Sequence, residues 1–172
     1  NGEIYNFPEL KQELTGAGVS FKTRSDTEVL LKGYAYWGIK RLLERADGMF
    51  AFALHDIREQ KMWLARDRFG KKPLYYSHNN GGFTFSSNIV SLSRLYRNEL
   101  SFDQKLLDYY LREMAMPQPH TVWKEVKQLP AASYMSYDIV SSTLSQPTSY
   151  WSLAHVRVEQ NRKEDYFLEK TE

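Results

Sequence analysis

The stretch from Gly48 to Tyr76 constrains the fold of this chain more than any other segment. Residues Met49 to Leu54 are apolar at every position, so a strand here would be covered on both faces, as in the middle layers of a sandwich. The segment Ile57 to Gln60 supplies a polar turn, and the apolar run Met62 to Ala65 predicts the second arm of a hairpin. We therefore expect this hairpin to form the core around which the chain is organised.

Two more short strands are predicted after the hairpin. A loop containing glycine and proline comes first, and Leu74 to Tyr76 is rich in residues that favour strands. Gly81 and Gly82 are expected to turn the chain into a fourth strand, Phe83 to Ser87. Short consecutive strands joined by tight turns predict an antiparallel sheet.

Composition narrows the class of protein. With 42% hydrophobic and 26% charged residues the chain suits a soluble globular domain, and 15% aromatic residues favour β structure over a helical bundle. A net charge of +2 without a long basic run favours neither nucleic acid nor a membrane surface as a partner. The chain has neither a signal-like start nor a membrane-length apolar run, so we expect a cytoplasmic protein.

The chain contains no cysteine. Disulfides, thiolate metal sites and a cysteine nucleophile are therefore excluded within these residues. The four histidines lack metal-binding spacing and no glycine-rich phosphate loop is present, so neither a metal site nor a nucleotide site is predicted. Because the first residue is Asn1 rather than methionine, we expect a processed or truncated start.

An early helix is predicted from its end signals. Asn6 is a candidate N-cap with Glu9 at the capping-box spacing, and Gly16 or Gly18 is expected to end the helix.

A second helix is predicted to start at a similar signal. Ser25 and Glu28 form another capping box, which places Asp26 in the first turn, where its charge suits the helix dipole. We expect an interruption at Gly38 and a shorter helix from Ile39 to Ala46.

The second half of the chain mixes helices with extended segments. Helical spacing predicts one helix around Leu92 and a stronger one that begins at Asp103, whereas Ser133 to Ile139 alternates like a strand. We expect a loop from Ser141 to Ser149 and a charged helix from Arg162 to Glu172.

The residues that could carry chemistry each allow a structural interpretation as well. Asn1, Gly2 and Glu3 are either a turn beside a charge or an oxyanion hole, in which the Asn1 carboxamide and the Gly2 N–H converge on one point. Asp26 is either a helix-start carboxylate or a ligand-binding one. We expect Arg66-Asp67-Arg68 to be an ion-pair cluster at a strand end.

Taken together, six segments in order closely resemble the glutamine amidotransferase half of the glutamine-hydrolysing asparagine synthetases. These segments are NGEIYN (1–6), SDTEV (25–29), DGMFAFALHD (47–56), ARDRFGKKPLYY (65–76), FSSNI (85–89) and a stretch over 121–134 that ends in KQLPAASY.

This resemblance implies an α+β fold of the N-terminal nucleophile hydrolase class, an αββα sandwich of two antiparallel sheets between helices, here incomplete at the N-terminus. In that family an N-terminal cysteine attacks the side-chain amide of glutamine, and its own α-amino group acts as the base. The ammonia then passes to a synthetase domain that uses ATP. By resemblance, residues 1–150 are the amidotransferase domain and residues 151–172 are a linker and the start of the synthetase domain, where ATP and magnesium would act.

Site residues follow from the resemblance position by position. Asn1 and Gly2 match the two oxyanion donors, and Glu3 and Asp26 match the residues that hold the α-amino group of glutamine, for which their charge has the right sign. The catalytic cysteine and the arginine that holds the substrate carboxylate have no counterpart in this chain, so we expect the chain alone to be inactive. Asn88 replaces the glutamate usual in the family.

Three functions stay open. The chain is the glutaminase half of an enzyme that amidates aspartate or a related acceptor, a non-catalytic binding or scaffold module that keeps the fold, or a domain that supplies ammonia to a sugar-phosphate or phosphoribosyl partner.

In the family fold, the N-terminal segment that is missing here contributes strands to the sheets. We therefore also expect an unpaired sheet edge and with it a homodimer, aggregation, or pairing with another chain.

Overall fold

The computed structural model describes residues 1–79, 82–96 and 99–155. The strands are β1 Gly2–Ile4, β2 Gly48–Asp56, β3 Lys61–Arg66, β4 Tyr75–Asn79, β5 Gly82–Ser86, β6 Lys127–Gln128, β7 Ser133–Asp138, β8 Thr143–Leu144 and β9 Thr148–Ser149. The helices are α1 Phe7–Gly16, α2 Asp26–Arg45, α3 Ile89–Leu95 and α4 Gln104–Glu113, followed by a 3-10 turn at Leu153–His155. The helix predicted for Arg162 to Glu172 lies outside the described residues.

The described strands form two antiparallel sheets. Sheet 1 has the order β1-β2-β3-β7-β8, with β9 also pairing with β7, and sheet 2 has the order β5-β4-β6. The predicted β2–β3 hairpin and the antiparallel pairing are therefore confirmed. The chain changes sheet between β3 and β4, so the four strands around the hairpin are divided between two layers.

Two apolar cores separate these layers. The first lies between sheet 1 and the helices α1 and α2, and the second lies between the two sheets. Helix α3 packs on sheet 2 against β4 and β5, and it buries Leu92. This order of layers is the predicted αββα sandwich. The first core contains Ile4, Leu10, Leu14, Val29, Ile39, Leu43, Ala46, Phe50, Ala65 and Tyr150, and the second contains Ala51, Leu64, Leu74, Tyr76, Leu129 and Met135.

Strand β2 is covered on both faces, as predicted, but only over part of its length. Phe50 belongs to the helix-side core and its neighbour Ala51 belongs to the core between the sheets. Ala53 lies on the same face as Ala51 because side chains alternate along a strand, yet Ala53 is exposed. Cover from the second sheet therefore ends between these two alanines.

The cap of α1 differs from its prediction. Asn6 does occupy the N-cap position, but its side chain makes no capping hydrogen bond. Instead its carboxamide donates to the Arg45 carbonyl at 2.9 Å and accepts from the Asp47 N–H at 2.8 Å. Asn6 thus ties the start of α1 to the turn between α2 and β2, a contact that local sequence spacing does not reveal.

The cap of α2 is only half of the predicted capping box. Ser25 Oγ accepts from the Thr27 N–H at 3.1 Å, as an N-cap should. Glu28 does not reach back to Ser25, because its carboxylate is bound by Lys22 and Thr23 in the preceding loop. The predicted interruption is confirmed, since Gly38 has φ 76° and ψ 171° inside α2.

Some predictions for the second half of the chain are confirmed and one is wrong. The strand β7 and the start of α4 at Asp103 are confirmed, and Asp103 caps α4 by accepting from the Leu106 N–H at 3.3 Å. No residue of α4 is fully buried, so its apolar face covers less of the core than its pattern suggests. The loop predicted from Ser141 to Ser149 is wrong, because β8 and β9 both pair there with β7.

None of the helices in the described part of the chain is both long enough and apolar enough to cross a membrane.

Two glycines set the spacing between β1 and β2. Gly2 and Gly48 have φ of +127° and +155°, outside the range favoured by residues with a side chain. A Cβ on Gly2 would overlap the Met49 carbonyl oxygen, and a Cβ on Gly48 would overlap that of Glu3. Each strand therefore needs a glycine where it approaches the backbone of the other.

Gly48→Ala is expected to lower the free energy of unfolding by roughly 2–3 kcal/mol, because the new methyl group meets backbone that cannot rotate away. Urea denaturation followed by circular dichroism measures the change. Gly16→Ala is the matched control, since nothing lies within 4 Å of a Cβ at that position. Equal stability of the two variants would contradict the close approach of β1 and β2.

Candidate functional site

Strand β1 directs alternate backbone groups toward its open edge. Asn1 exchanges hydrogen bonds with Ala51, and the Tyr5 N–H donates to the Asp47 carbonyl at 2.7 Å. Because bonding alternates along an antiparallel pair, the N–H groups of Gly2 and Ile4 point away from β2. No strand of the described chain pairs with that edge of β1.

Asp26 lies at this same edge. Its Oδ2 accepts a hydrogen bond from the Ile4 N–H at 3.2 Å, which joins the first turn of α2 to β1. The Gly2 N–H points in the same direction two residues away, and we find no acceptor for it among the residues that the structure describes. A free backbone donor and a carboxylate are thus brought together along one edge.

Asn1 and Glu3 flank that edge. Ile4 is buried in the helix-side core, so the side chains of Asn1 and Glu3 belong to the opposite face of sheet 1. Both residues are exposed, and neither side chain has a hydrogen-bond or ion-pair partner among the described residues. All four predicted site residues therefore lie at one corner of the sheet, and of the Asn1, Glu3 and Asp26 side chains only that of Asp26 has a hydrogen bond to a more distant part of the described chain.

A buried carboxylate supports the strand opposite Gly2. Asp67 is 1% exposed, and its two oxygens accept from the N–H groups of Phe50, Phe69, Lys71 and Lys72 at 3.0–3.3 Å. Its own N–H donates to the Phe50 carbonyl at 2.9 Å. Phe50 is the residue directly across from Gly2, so Asp67 fixes the strand against which the free donor is placed.

The guanidinium of Arg66 binds carbonyl groups in the same region in which Asp67 binds N–H groups. It is 3% exposed and donates to the carbonyl oxygens of Gly70, Lys72 and Leu129 at 2.6–2.7 Å. The Tyr150 hydroxyl donates to the Arg66 carbonyl at 2.9 Å, and burial raises the pKa of Tyr150.

The predicted ion-pair cluster at positions 66–68 is therefore wrong. Arg66 and Asp67 bind backbone groups rather than side chains of opposite charge. Only Arg68 has a carboxylate partner, Asp47, at 3.8 Å. A buried charge needs several hydrogen bonds, and the polar backbone of a turn supplies them at short range.

A separate cleft of about 610 Å³ lies near the other end of β2. Its polar centre is a chain in which Trp63 Nε1 donates to the Tyr34 hydroxyl at 3.0 Å and that hydroxyl donates to Asp56 at 2.6 Å. Burial and the bond to Asp56 raise the pKa of Tyr34 to about 12. The other Asp56 oxygen is bound by two turn N–H groups, so these side chains stabilise the hairpin, and none of the predicted site residues lines this cleft.

Comparison with known proteins shows the family to which this chain belongs. The profile of the family described as glutamine amidotransferase domain matches residues 1–151. The chain belongs to the glutamine amidotransferase family. The match includes β1, the start of α2, both sheets and the 66–72 turn, which are the parts that build this corner.

Several curated relatives of this amidotransferase domain are longer proteins. A putative asparagine synthetase [glutamine-hydrolyzing] of Mycobacterium tuberculosis is 38% identical over 138 residues, which is 78% of this chain and 21% of the relative. Asparagine synthetase [glutamine-hydrolyzing] 2 of Bacillus subtilis is 35% identical over 170 residues, 96% of this chain and 22% of the relative. The chain thus spans about a fifth of the length of these relatives.

The fold is also similar to a solved amidotransferase structure. The glutamine phosphoribosylpyrophosphate amidotransferase of Bacillus subtilis, complexed with ADP and GMP, matches 88% of this chain and 28% of its own with a TM-score of 0.60. At 20% sequence identity this likeness shows the fold alone. It agrees with the two antiparallel sheets between helices described above.

The structure gives Asn88 of this domain a local role. Asn88 is the N-cap of α3, where its side-chain oxygen accepts from the Val90 N–H at 2.9 Å, and its own N–H donates to Ser86 Oγ at 3.0 Å. Asparagine is among the preferred N-cap residues. The substitution relative to the family pattern is therefore compatible with a stable start of α3.

Glu28 organises the loop that leads into Asp26. Its carboxylate accepts from the Lys22 N–H, the Thr23 N–H and the Thr23 hydroxyl at 2.6–3.2 Å. The Thr23 hydroxyl bond and then the Lys22 N–H bond lower the pKa of Glu28 to about 2. This loop was missed from sequence because the capping-box spacing assigned Glu28 a different partner.

The stability difference between the native chain and Glu28→Gln is expected to depend on pH. A carboxyl whose pKa is depressed in the folded state stabilises the fold above its unfolded pKa, and this contribution is lost as the pH falls through the folded pKa. The difference should thus be full above pH 4.5, the ordinary value, and shrink as the pH falls to about 2. Thermal unfolding at a series of pH values measures it. A difference that stays constant from about pH 6 to about pH 2 would contradict the assigned contacts.

Proposed function

We propose that this chain forms the glutamine site of a glutaminase unit in an asparagine synthetase-like enzyme. The whole enzyme would hydrolyse glutamine to glutamate and ammonia and use the ammonia to amidate aspartate or a related acceptor. The observation that carries the proposal is the Gly2 N–H, which has no acceptor among the described residues and lies beside the Asp26 carboxylate at an edge of β1 that no described strand pairs with. The curated names of the longer relatives support the same reaction.

The proposed chemistry uses the donors at this corner. When a thiolate attacks the amide carbon of glutamine, the carbonyl electron pair moves onto oxygen, and the Gly2 N–H and the Asn1 carboxamide would donate to that oxyanion. One such donor contributes roughly 100- to 1,000-fold to the rate in acyl transfer. Ammonia leaves with the proton that the base took from the thiol, and water then releases glutamate from the thioester and restores the thiol.

The carboxylates would bind the other end of the substrate. The carboxylates of Glu3 and Asp26 suit the α-ammonium group of glutamine. Asp26 is already oriented by its bond to the Ile4 N–H, whereas Glu3 is exposed and adjusts to the ligand. The nucleophile must come from outside these 172 residues, since they contain no cysteine.

A synthetase domain would be the partner that consumes the ammonia. The relatives are about five times longer than this chain, which supports a second catalytic unit in the same protein. We propose that ATP and magnesium act in that unit, with residues 151–172 as the linker and its start. A non-catalytic module with the same fold is the second candidate.

The 172-residue polypeptide is expected to release no ammonia from glutamine above background, because it lacks the nucleophile that forms the covalent intermediate. A coupled ammonia assay measures the rate. The same polypeptide extended by the residues encoded before Asn1 is the comparison. Glutaminase activity in the extended form only, with a cysteine in the added segment, supports the enzyme, and no activity in either form supports the module.

Glutamine is expected to bind the 172-residue chain weakly and through Asp26. Asp26→Asn keeps a carbonyl oxygen for the Ile4 N–H but loses the charge, so it should weaken binding by roughly 10- to 100-fold without loosening β1. Asp26→Ala loses both contacts and should also expose the Ile4 amide. Shifts of the Gly2 and Ile4 amide resonances during a glutamine titration measure both effects. Binding that is indifferent to Asp26→Asn would exclude Asp26 as an ammonium ligand.

A further inference from the structure

Helix α4 has less cover than the other described helices. None of its residues is buried, and it makes no extended contact with another helix or strand of the described chain. A helix needs roughly 12–15 residues to be stable in water on its own, and shorter helices depend on packing against a neighbour. Because α4 has 10 residues, its stability calls for a partner that the described chain does not supply.

One face of α4 is apolar. The residues of this face recur at the spacing i, i+3, i+4 and i+7. They are Leu107, Tyr110, Leu111 and Met114. Leu111 is 66% exposed and Met114 is 74% exposed, whereas Lys105 and Arg112 lie on the opposite side of the helix. An apolar face with this spacing is the kind that binds in a hydrophobic groove on a partner.

Both ends of α4 are attached to the domain. Before the helix, Phe102 packs on Trp123 with ring centroids 4.2 Å apart. After the helix, the side-chain oxygen of Gln118 accepts from the Ala131 N–H at 3.2 Å. The apolar face of α4 is therefore presented at a defined place on the surface.

The chain leaves the two sheets beside the segment that follows α4. The Tyr150 N–H donates to the Ala132 carbonyl at 2.9 Å, and Ala132 is next to the residue that binds Gln118. Trp151 then packs edge-on against Phe69, with ring centroids 5.3 Å apart. A unit joined to the domain through the residues after Trp151 is therefore tethered close to the apolar face of α4.

We propose that the apolar face of α4 is the docking surface for the synthetase unit of the same protein, which binds it in an apolar groove. This inference rests on the proposed function, which supplies that unit. The chain spans only 21–22% of the curated relatives, so most of such a protein lies outside this domain. A tether beside α4 gives the unit a high effective concentration there. Docking holds the two units in one orientation, which suits a reaction in which one unit uses the ammonia that the other releases.

A photoreactive side chain identifies what covers α4. The protein to use is the full-length product of the reading frame that encodes these 172 residues. A benzophenone amino acid in place of Leu111 should cross-link under ultraviolet light to the part of the protein after residue 172, as located by peptide mass spectrometry. The same amino acid in place of Val140, which is 80% exposed in the turn between β7 and β8, is the matched control and should give no such product. A cross-link from position 111 to the segment before Asn1, to a second copy, or to nothing overturns the proposal.

A charge on the apolar face tests the same contact without a cross-link. In the full-length protein, Leu111→Glu should release the synthetase unit and speed tryptic cleavage between the two units at least about tenfold, or about 1.4 kcal/mol. Val140→Glu adds the same charge at another exposed apolar residue and should leave the cleavage rate unchanged. Equal cleavage rates in the two variants would contradict docking at α4.

Ammonia release from glutamine, measured on the same full-length samples, separates this proposal from the proposed function. Glutaminase activity without a cross-link beyond residue 172 overturns the docking surface and leaves the function in place. A cross-link there without glutaminase activity supports the docking surface and counts against the glutaminase.

Discussion

The adjacent buried charges of Arg66 and Asp67 are the interaction on which the two-sheet architecture depends. After β3 the chain must leave one sheet and enter the other, and a turn between two cores exposes peptide groups that strand pairing cannot satisfy. Asp67 accepts from three of these N–H groups and from that of Phe50 in β2, and the Arg66 guanidinium donates to three carbonyls, one of them on the segment that leads from β6 to β7. Because the two charges are neighbours, each also lowers the cost of burying the other.

Elements set by local rules were predictable from sequence, whereas the hydrogen-bond partners of several polar side chains were not. The β2–β3 hairpin, β7 and the break at Gly38 follow from alternation, turn residues and glycine conformation, all of which act within a few residues. Asn6, Glu28 and the 66–67 pair were misassigned because each has the spacing of a common local motif but binds other groups. Asn6 binds the distant residues Arg45 and Asp47, Glu28 binds the loop before α2, and the 66–67 pair binds mainly the backbone of the turn that follows it. The same applies to β8 and β9, whose polar residues are typical of loops.

The candidate site, too, could be predicted only in part from the sequence. Sequence spacing alone was equally compatible with a purely structural role for Asn1, Gly2, Glu3 and Asp26. Only the resemblance to a family assigned these residues to one site. The fold adds that β1 runs beside the start of α2, which brings residues more than twenty positions apart to one edge. Their proximity depends on the packing of α1 and α2 on sheet 1, through Ile4, Leu14 and Val29. No short-range pattern contains that information.

The change of sheet after β3 also sets the order in which this chain can fold. Strand β3 finds its outer partner only in β7, which follows β4, β5, α3 and α4 along the chain. During synthesis the β2–β3 hairpin is therefore complete long before the strand that closes its exposed side has left the ribosome. Such distant pairing slows folding and leaves an apolar edge accessible in the interval. A chaperone bound to the nascent chain would meet Trp63 and Leu64 on that edge before Tyr134 and Met135 arrive to cover them.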